Sequence, residues 1–105
     1  MTWVDVGPAD LGDGSLRDTV VGDLQVCLAR RGTRWFAFET WCTHEECPLS
    51  DGWLEGDAVR CSCHGALFAL ADGEPLEGPA RDPIRVFPAR ATAGRVEADL
   101  PMLPA

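Results

Sequence analysis

Two short stretches constrain everything else in this chain: Cys42-Thr43-His44 and, after sixteen intervening residues, Cys61-Ser62-Cys63-His64. The sequence contains only two histidines, and each lies within three residues of a cysteine on a segment punctuated by Pro, Gly and Asp. A cysteine thiolate is a soft anionic ligand and a neutral imidazole a borderline one. Two of each converging from two loops therefore describe a site for zinc or for an iron–sulfur cluster. Structural zinc sites usually pair their ligands as Cys-x-x-Cys or His-x-x-x-His, and the Cys-x-His followed by Cys-x-x-His spacing departs from both. Packing alone gives no reason to place these residue types together in short Gly/Pro-rich loops.

The remaining residues must build what holds those loops. With 105 residues the chain is expected to form one domain, 1–105, with a core that needs no disulfide staples. No apolar run approaches the roughly 20 residues of a membrane span, and the N-terminus shows no signal-peptide pattern. The expectation is a soluble cytoplasmic protein. A net charge of −8, from 17 acidic residues against nine arginines and no lysine, argues against nucleic acid and anionic membrane as partners and favours a basic protein surface. In a reducing compartment, five cysteines read as ligands or buried thiols more readily than as a disulfide framework. Cys27, within Leu24-Gln25-Val26-Cys27-Leu28, reads as a small buried hydrophobe.

The apolar pattern is that of strands throughout. Trp3 to Val6 suggests an edge strand. Leu16 to Val21 and Leu24 to Ala29 form a hairpin about Gly22-Asp23, and Trp35 to Phe38 runs on into Trp41 and Cys42. Cys42 to Gly52 reads as a loop. Trp53-Leu54 and Ala58 to Arg60 flank Glu55-Gly56-Asp57 as a second hairpin that delivers Cys61, and Ala66 to Leu70 reads as a buried strand. Glu74 to Pro83 is expected to be a restricted loop. Ile84 to Ala89, a turn at Ala93-Gly94 and Val96 to Leu100 make a closing hairpin. No stretch has helical spacing over ten residues free of Gly or Pro. The fold class is thus all-β: eight or nine short antiparallel strands in a small barrel or sandwich, with the ligand region, about residues 41–79, inserted between them.

Cys42-Thr43-His44 with Cys61-Ser62-Cys63-His64-Gly65 resembles the two ligand boxes of the Rieske [2Fe–2S] family. Pro48-Leu49-Ser50-Asp51-Gly52, the strand Ala66 to Phe68, Asp72-Gly73 and Gly78-Pro79 extend the resemblance along the chain. It is most similar to the small Rieske ferredoxins of bacterial aromatic-ring-hydroxylating dioxygenases. The resemblance implies one [2Fe–2S] cluster, with Cys42 and Cys61 on the inner iron, His44 and His64 on the outer iron, and Pro79 in a loop that covers the cluster. It also implies a monomeric one-electron carrier in aromatic hydrocarbon catabolism, reduced by a flavin-containing reductase and oxidised by a terminal Rieske oxygenase. Such a carrier is not an enzyme, and the two further histidines that a mononuclear iron site would require do not exist in this sequence. The small Rieske-like subunit of an assimilatory nitrite reductase is the alternative, and a zinc-binding interaction module a more distant one.

Two departures within the resemblance carry information. Cys47 and Cys63 occupy positions that form a disulfide in respiratory and photosynthetic Rieske proteins, a pair that most dioxygenase ferredoxins lack; a bridge and two free thiols are both compatible with the sequence. High-potential members carry a serine and a tyrosine just after the second box, whose hydroxyls donate to cluster sulfurs. Here those positions are Ala66 and Phe68, which implies a potential toward the negative end of the Rieske range of roughly −150 to +300 mV.

Overall fold

The computed structural model describes residues 2–42, 47–63, 65–78 and 82–101. Among the described residues eleven strands follow one another: β1 Thr2–Pro8, β2 Leu16–Val21, β3 Leu24–Arg31, β4 Arg34–Glu39, β5 Trp53–Glu55, β6 Ala58–Arg60, β7 Leu67–Ala69, β8 Pro75–Glu77, β9 Val86–Phe87, β10 Ala89–Thr92 and β11 Arg95–Leu100. They make three antiparallel sheets in the orders β1-β11-β10, β2-β3-β4-β9 and β5-β6-β7-β8. Among the described residues the only helical element is a 3₁₀ turn, Leu49–Asp51. No helix there is long and apolar enough to cross a membrane.

The second sheet is central. Along β3, Val26 and Leu28 pack into one apolar cluster with Val6, Ala37, Phe87, Val96, Ala98 and Leu100. The alternate residues Cys27 and Ala29 pack into another, with Phe38, Leu49, Val59, Phe68, Leu70 and Ile84. The period of two thus sends successive side chains of one strand to two cores, which is why β3 reads as a nearly continuous apolar run. The β1-β11-β10 sheet supplies the partners on one face, and the β5–β8 sheet with the ligand loops supplies them on the other. Cys27 is fully buried, and burial pushes its thiol pKa far up, so it behaves as the small hydrophobe expected from sequence.

The structure differs from the sequence-based expectations in three places. Part of the expected loop 42–52 is the 3₁₀ turn. The expected loop 74–83 contains β8, which pairs with β7 at the sheet edge, where a proline at the first position removes no ladder bond that the sheet needs. The single strand expected at 84–89 is divided at Pro88: β9 pairs with β4, β10 pairs with β11, and the chain passes from the central sheet to the outer one. The Pro88 carbonyl accepts from Asp99 N–H at 2.9 Å, which fixes the crossing point.

Candidate metal centre

Both ligand boxes rise from the same backbone device. Cys42 N–H donates to the Cys47 carbonyl at 3.0 Å, and Cys61 N–H donates to the Ala66 carbonyl at 2.7 Å. In each case a cysteine at the end of a strand segment is pinned to the residue five positions on, across a stretch that the sequence reads as a loop. His44 and His64 belong to those loops by sequence and lie outside the described residues, as do Glu45, Glu46 and Pro79.

The first base is reinforced on the strand side. Leu49 N–H donates to the Thr40 carbonyl at 2.5 Å, and Trp41 pairs with Pro48 in an isolated antiparallel bridge. The 3₁₀ turn then brings Gly52 against β6. A Cβ on Gly52 would stand 1.9 Å from the Arg60 carbonyl oxygen, so only glycine allows the first box to lie this close to the strand that delivers the second.

Arg60, the residue before Cys61, organises the second box. Its Nη1 donates to the Gly65 carbonyl at 2.7 Å, while Nε and Nη2 donate to the two carboxylate oxygens of Glu55 at 2.5 and 2.9 Å. Glu55 also accepts from Trp53 Nε1 at 2.8 Å. These bonds, the Arg60 fork first, hold the Glu55 carboxyl below its ordinary range. Glu77 on β8 stands 3.6 Å from the same guanidinium. Arg60 is not among the residues expected from sequence; its position beside Cys61, within a hairpin that also carries Glu55, is the available signal.

Cys42, Cys47, Cys61, Ala66 and Phe68 all belong to the core cluster on this side of the central sheet. Cys61 and Ala66 are each 1% exposed and Phe68 not at all. Cys47 and Cys63 are joined by a disulfide, with Cα atoms 6.5 Å apart, which ties the two boxes together. The Cys61 sulfur lies within 4.8 Å of both bridge sulfurs. Gly78, with φ +90°, comes so close to the second box that a Cβ there would be 2.7 Å from Ala66 Cα.

The acidic residues around the boxes are not equivalent. Glu55 is held by Arg60, and Asp57 pairs with Arg34 at 2.7 Å. Asp51 is exposed and has no ion pair among the described residues. Trp41 and Trp53, at 44% and 49% exposure, present indole surface beside the two boxes.

The profile of the Rieske [2Fe–2S] domain matches residues 2–88. This chain belongs to the Rieske family. The cofactor of this Rieske chain is accordingly one [2Fe–2S] cluster. Ferredoxin CarAc of Metapseudomonas resinovorans is 34% identical over 96 residues that cover 90% of each chain. A solved complex of reduced oxygenase and oxidized ferredoxin in carbazole 1,9a-dioxygenase contains a chain that is 34% identical, with a TM-score of 0.84 and 91% of both chains covered. A putative NADH-dependent nitrite reductase small subunit from Mycobacterium tuberculosis is 25% identical, with a TM-score of 0.82 over 92% of this Rieske chain and 93% of that one.

Proposed function

We propose that this chain is the ferredoxin of a multicomponent aromatic-ring dioxygenase: a one-electron carrier that a flavin-containing reductase reduces and a terminal Rieske oxygenase oxidises, working in the cytoplasm as a monomer. The 34% identity to a named ferredoxin, over nine-tenths of both chains, is the observation that carries the reading. It outweighs the nitrite reductase alternative, whose solved representative is 25% identical.

Within this reading, Cys42 and Cys61 hold the inner iron and His44 and His64 the outer one. Several observations support the set. Both cysteines lie in one core cluster, each donates its backbone N–H to the carbonyl five residues on, and the 47–63 bridge joins the two boxes. Two thiolates and two neutral imidazoles suit a Rieske cluster, which when bound accepts and releases one electron at a higher potential than an all-cysteine cluster. The chain's own residues set the surroundings. Burial of Cys42 and Cys61 excludes water from the inner side, Arg60 anchors the second box through the Gly65 carbonyl, and Gly78 packs against Ala66. Residues 41–79 act as the cluster-binding subdomain of a domain spanning 1–105, and Pro79 limits solvent access. The half-exposed Trp41 and Trp53 offer apolar contact area at the docking face.

Metal and sulfide analysis of the purified chain should give two irons and two acid-labile sulfides, and zinc without iron would overturn the reading. His44→Ala and His64→Ala should each abolish the native cluster rather than tune it, since each histidine is one of only two protein ligands to its iron. Cluster reduction by a reductase and reoxidation by an oxygenase then tests the carrier role.

A further inference from the structure

We propose that in the apoprotein Cys61 exchanges with the Cys47–Cys63 disulfide, so that the chain isomerises to a form in which Cys47 is bonded to Cys61 and Cys63 is released. The inference rests on the reading that Cys61 is a cluster ligand, because its consequence is that the isomerised chain cannot take up iron.

The geometry is a thiol placed against a disulfide. The sulfurs of Cys47, Cys61 and Cys63 all lie within 4.8 Å of one another, Cys47 and Cys63 are bonded, and Cys61 is a free thiol. Exchange proceeds by attack of a thiolate on a disulfide sulfur. The Cys61 sulfur bonds to Cys47, the Cys47–Cys63 bond breaks, and the proton lost from Cys61 ends on Cys63. One S–S bond forms and one is lost, so no oxidant or reductant is consumed.

Attack at Cys47 is favoured over attack at Cys63, which would close a cramped ring across the single residue Ser62. The released sulfur is the one best placed to leave, since Cys63 is exposed whereas Cys47 and Cys61 are buried. Chain entropy scarcely separates the two isomers: Cys47 and Cys63 are 16 residues apart and Cys47 and Cys61 are 14, and loop-closure cost varies only with the logarithm of length. Exposed Cys63 can attack in return, so the change is reversible. Iron on Cys61 removes the attacking sulfur and fixes the 47–63 bridge. Cluster loading is thereby made dependent on which isomer the apoprotein holds.

The test uses the full chain, purified with its cluster. Iron is removed by a chelator under argon, the apoprotein is held anaerobically, free thiols are alkylated in acid, and the disulfides are mapped by mass spectrometry after non-reducing digestion. The cluster-bound protein should map as 47–63 alone. The apoprotein should accumulate 47–61 with alkylated Cys63, and its yield of reconstituted [2Fe–2S] absorbance should fall in proportion and return on treatment with dithiothreitol. The double variant Cys47→Ala/Cys63→Ala should show no such loss with time. An apoprotein that maps as 47–63 alone overturns the exchange while the recovered cluster leaves the carrier reading standing. A purified chain without iron overturns the carrier reading, and the disulfide map still decides the exchange.

Discussion

Arg60 donates to the carbonyl of Gly65 at 2.7 Å while its other nitrogens clasp Glu55, so one guanidinium ties the second ligand box to the hairpin that launches it. A lysine keeps the charge and loses the planar fork, and so cannot serve both partners at once. Arg60→Lys should therefore release the cluster to a chelator faster than wild type, and Arg60→Ala faster still, with little change in the thermal melt of the sheets. Chelator-driven bleaching compared with far-UV melting checks this. Equal losses in both would mean that the residue serves general stability only.

Ala66 and Phe68 are buried in the core that holds Cys42 and Cys61, and in the proposed site they stand where the resemblance puts hydroxyl donors in high-potential members. Hydrogen bonds to the sulfurs stabilise the extra negative charge of the reduced state. The wild-type potential should thus lie toward the negative end of the Rieske range, and Ala66→Ser and Phe68→Tyr should each raise it. Fitting the Tyr hydroxyl into a packed site should cost about 1–3 kcal/mol of stability. Protein-film voltammetry together with denaturant titration reads both effects. A wild-type value near the positive end would sink the argument.

Partner association should weaken as salt rises, because acidic groups near the boxes steer a basic surface only as far as the ionic atmosphere permits. The ion pairs rank the contributors. Asp57 is held by Arg34, whereas Asp51 is exposed and unpaired among the described residues. Asp51→Asn should accordingly slow reduction by the flavoprotein more than Asp57→Asn at low salt, with the two converging at high salt. Stopped-flow reduction rates across ionic strength would expose a flat response if the acidity is only solvating.

Asp5 lies on β1, and its carboxylate accepts from Arg95 and from Gly7 N–H at the bulge between Asp5 and Gly7. Arg95 chiefly, and then Gly7, hold its pKa below the ordinary value. A depressed folded pKa means that the carboxylate contributes stability above its unfolded value of roughly 3.9, and that this contribution fades as pH falls through the folded value. Asp5→Asn should melt below wild type at neutral pH, with the gap closing under acid conditions. Melting curves from neutral pH to about pH 2 measure the gap, and a constant difference would refute the linkage.

Alternation and turn residues made most strands legible, including the exact bounds of β2, because a half-buried strand must show its period of two. β8 was hidden by Pro75 and Gly78, residues that mark loops in general but are permitted at an edge strand and at a close backbone approach. Nothing in the sequence around Pro88 marks that its two sides serve different sheets. At the site, the cysteine and histidine spacing was visible directly. The Arg60 clasp and the contact of Gly52 with the Arg60 carbonyl were not, since both depend on which hairpin neighbours which loop.

The three sheets differ in how much chain must be gathered to make them. Strands β5 to β8 follow one another within residues 53–77, each pairing with the next, whereas β1 must meet β11 from the opposite end, Thr2 opposite Leu100. Closing short loops costs less entropy than closing long ones, and contacts local in sequence form faster. The sheet that carries the second ligand box should therefore assemble early in folding, before the outer sheet seals. Pulsed hydrogen exchange should show amides of residues 58–69 protected ahead of those of residues 2–8, so that iron meets a nearly finished cradle on a chain whose ends are still apart.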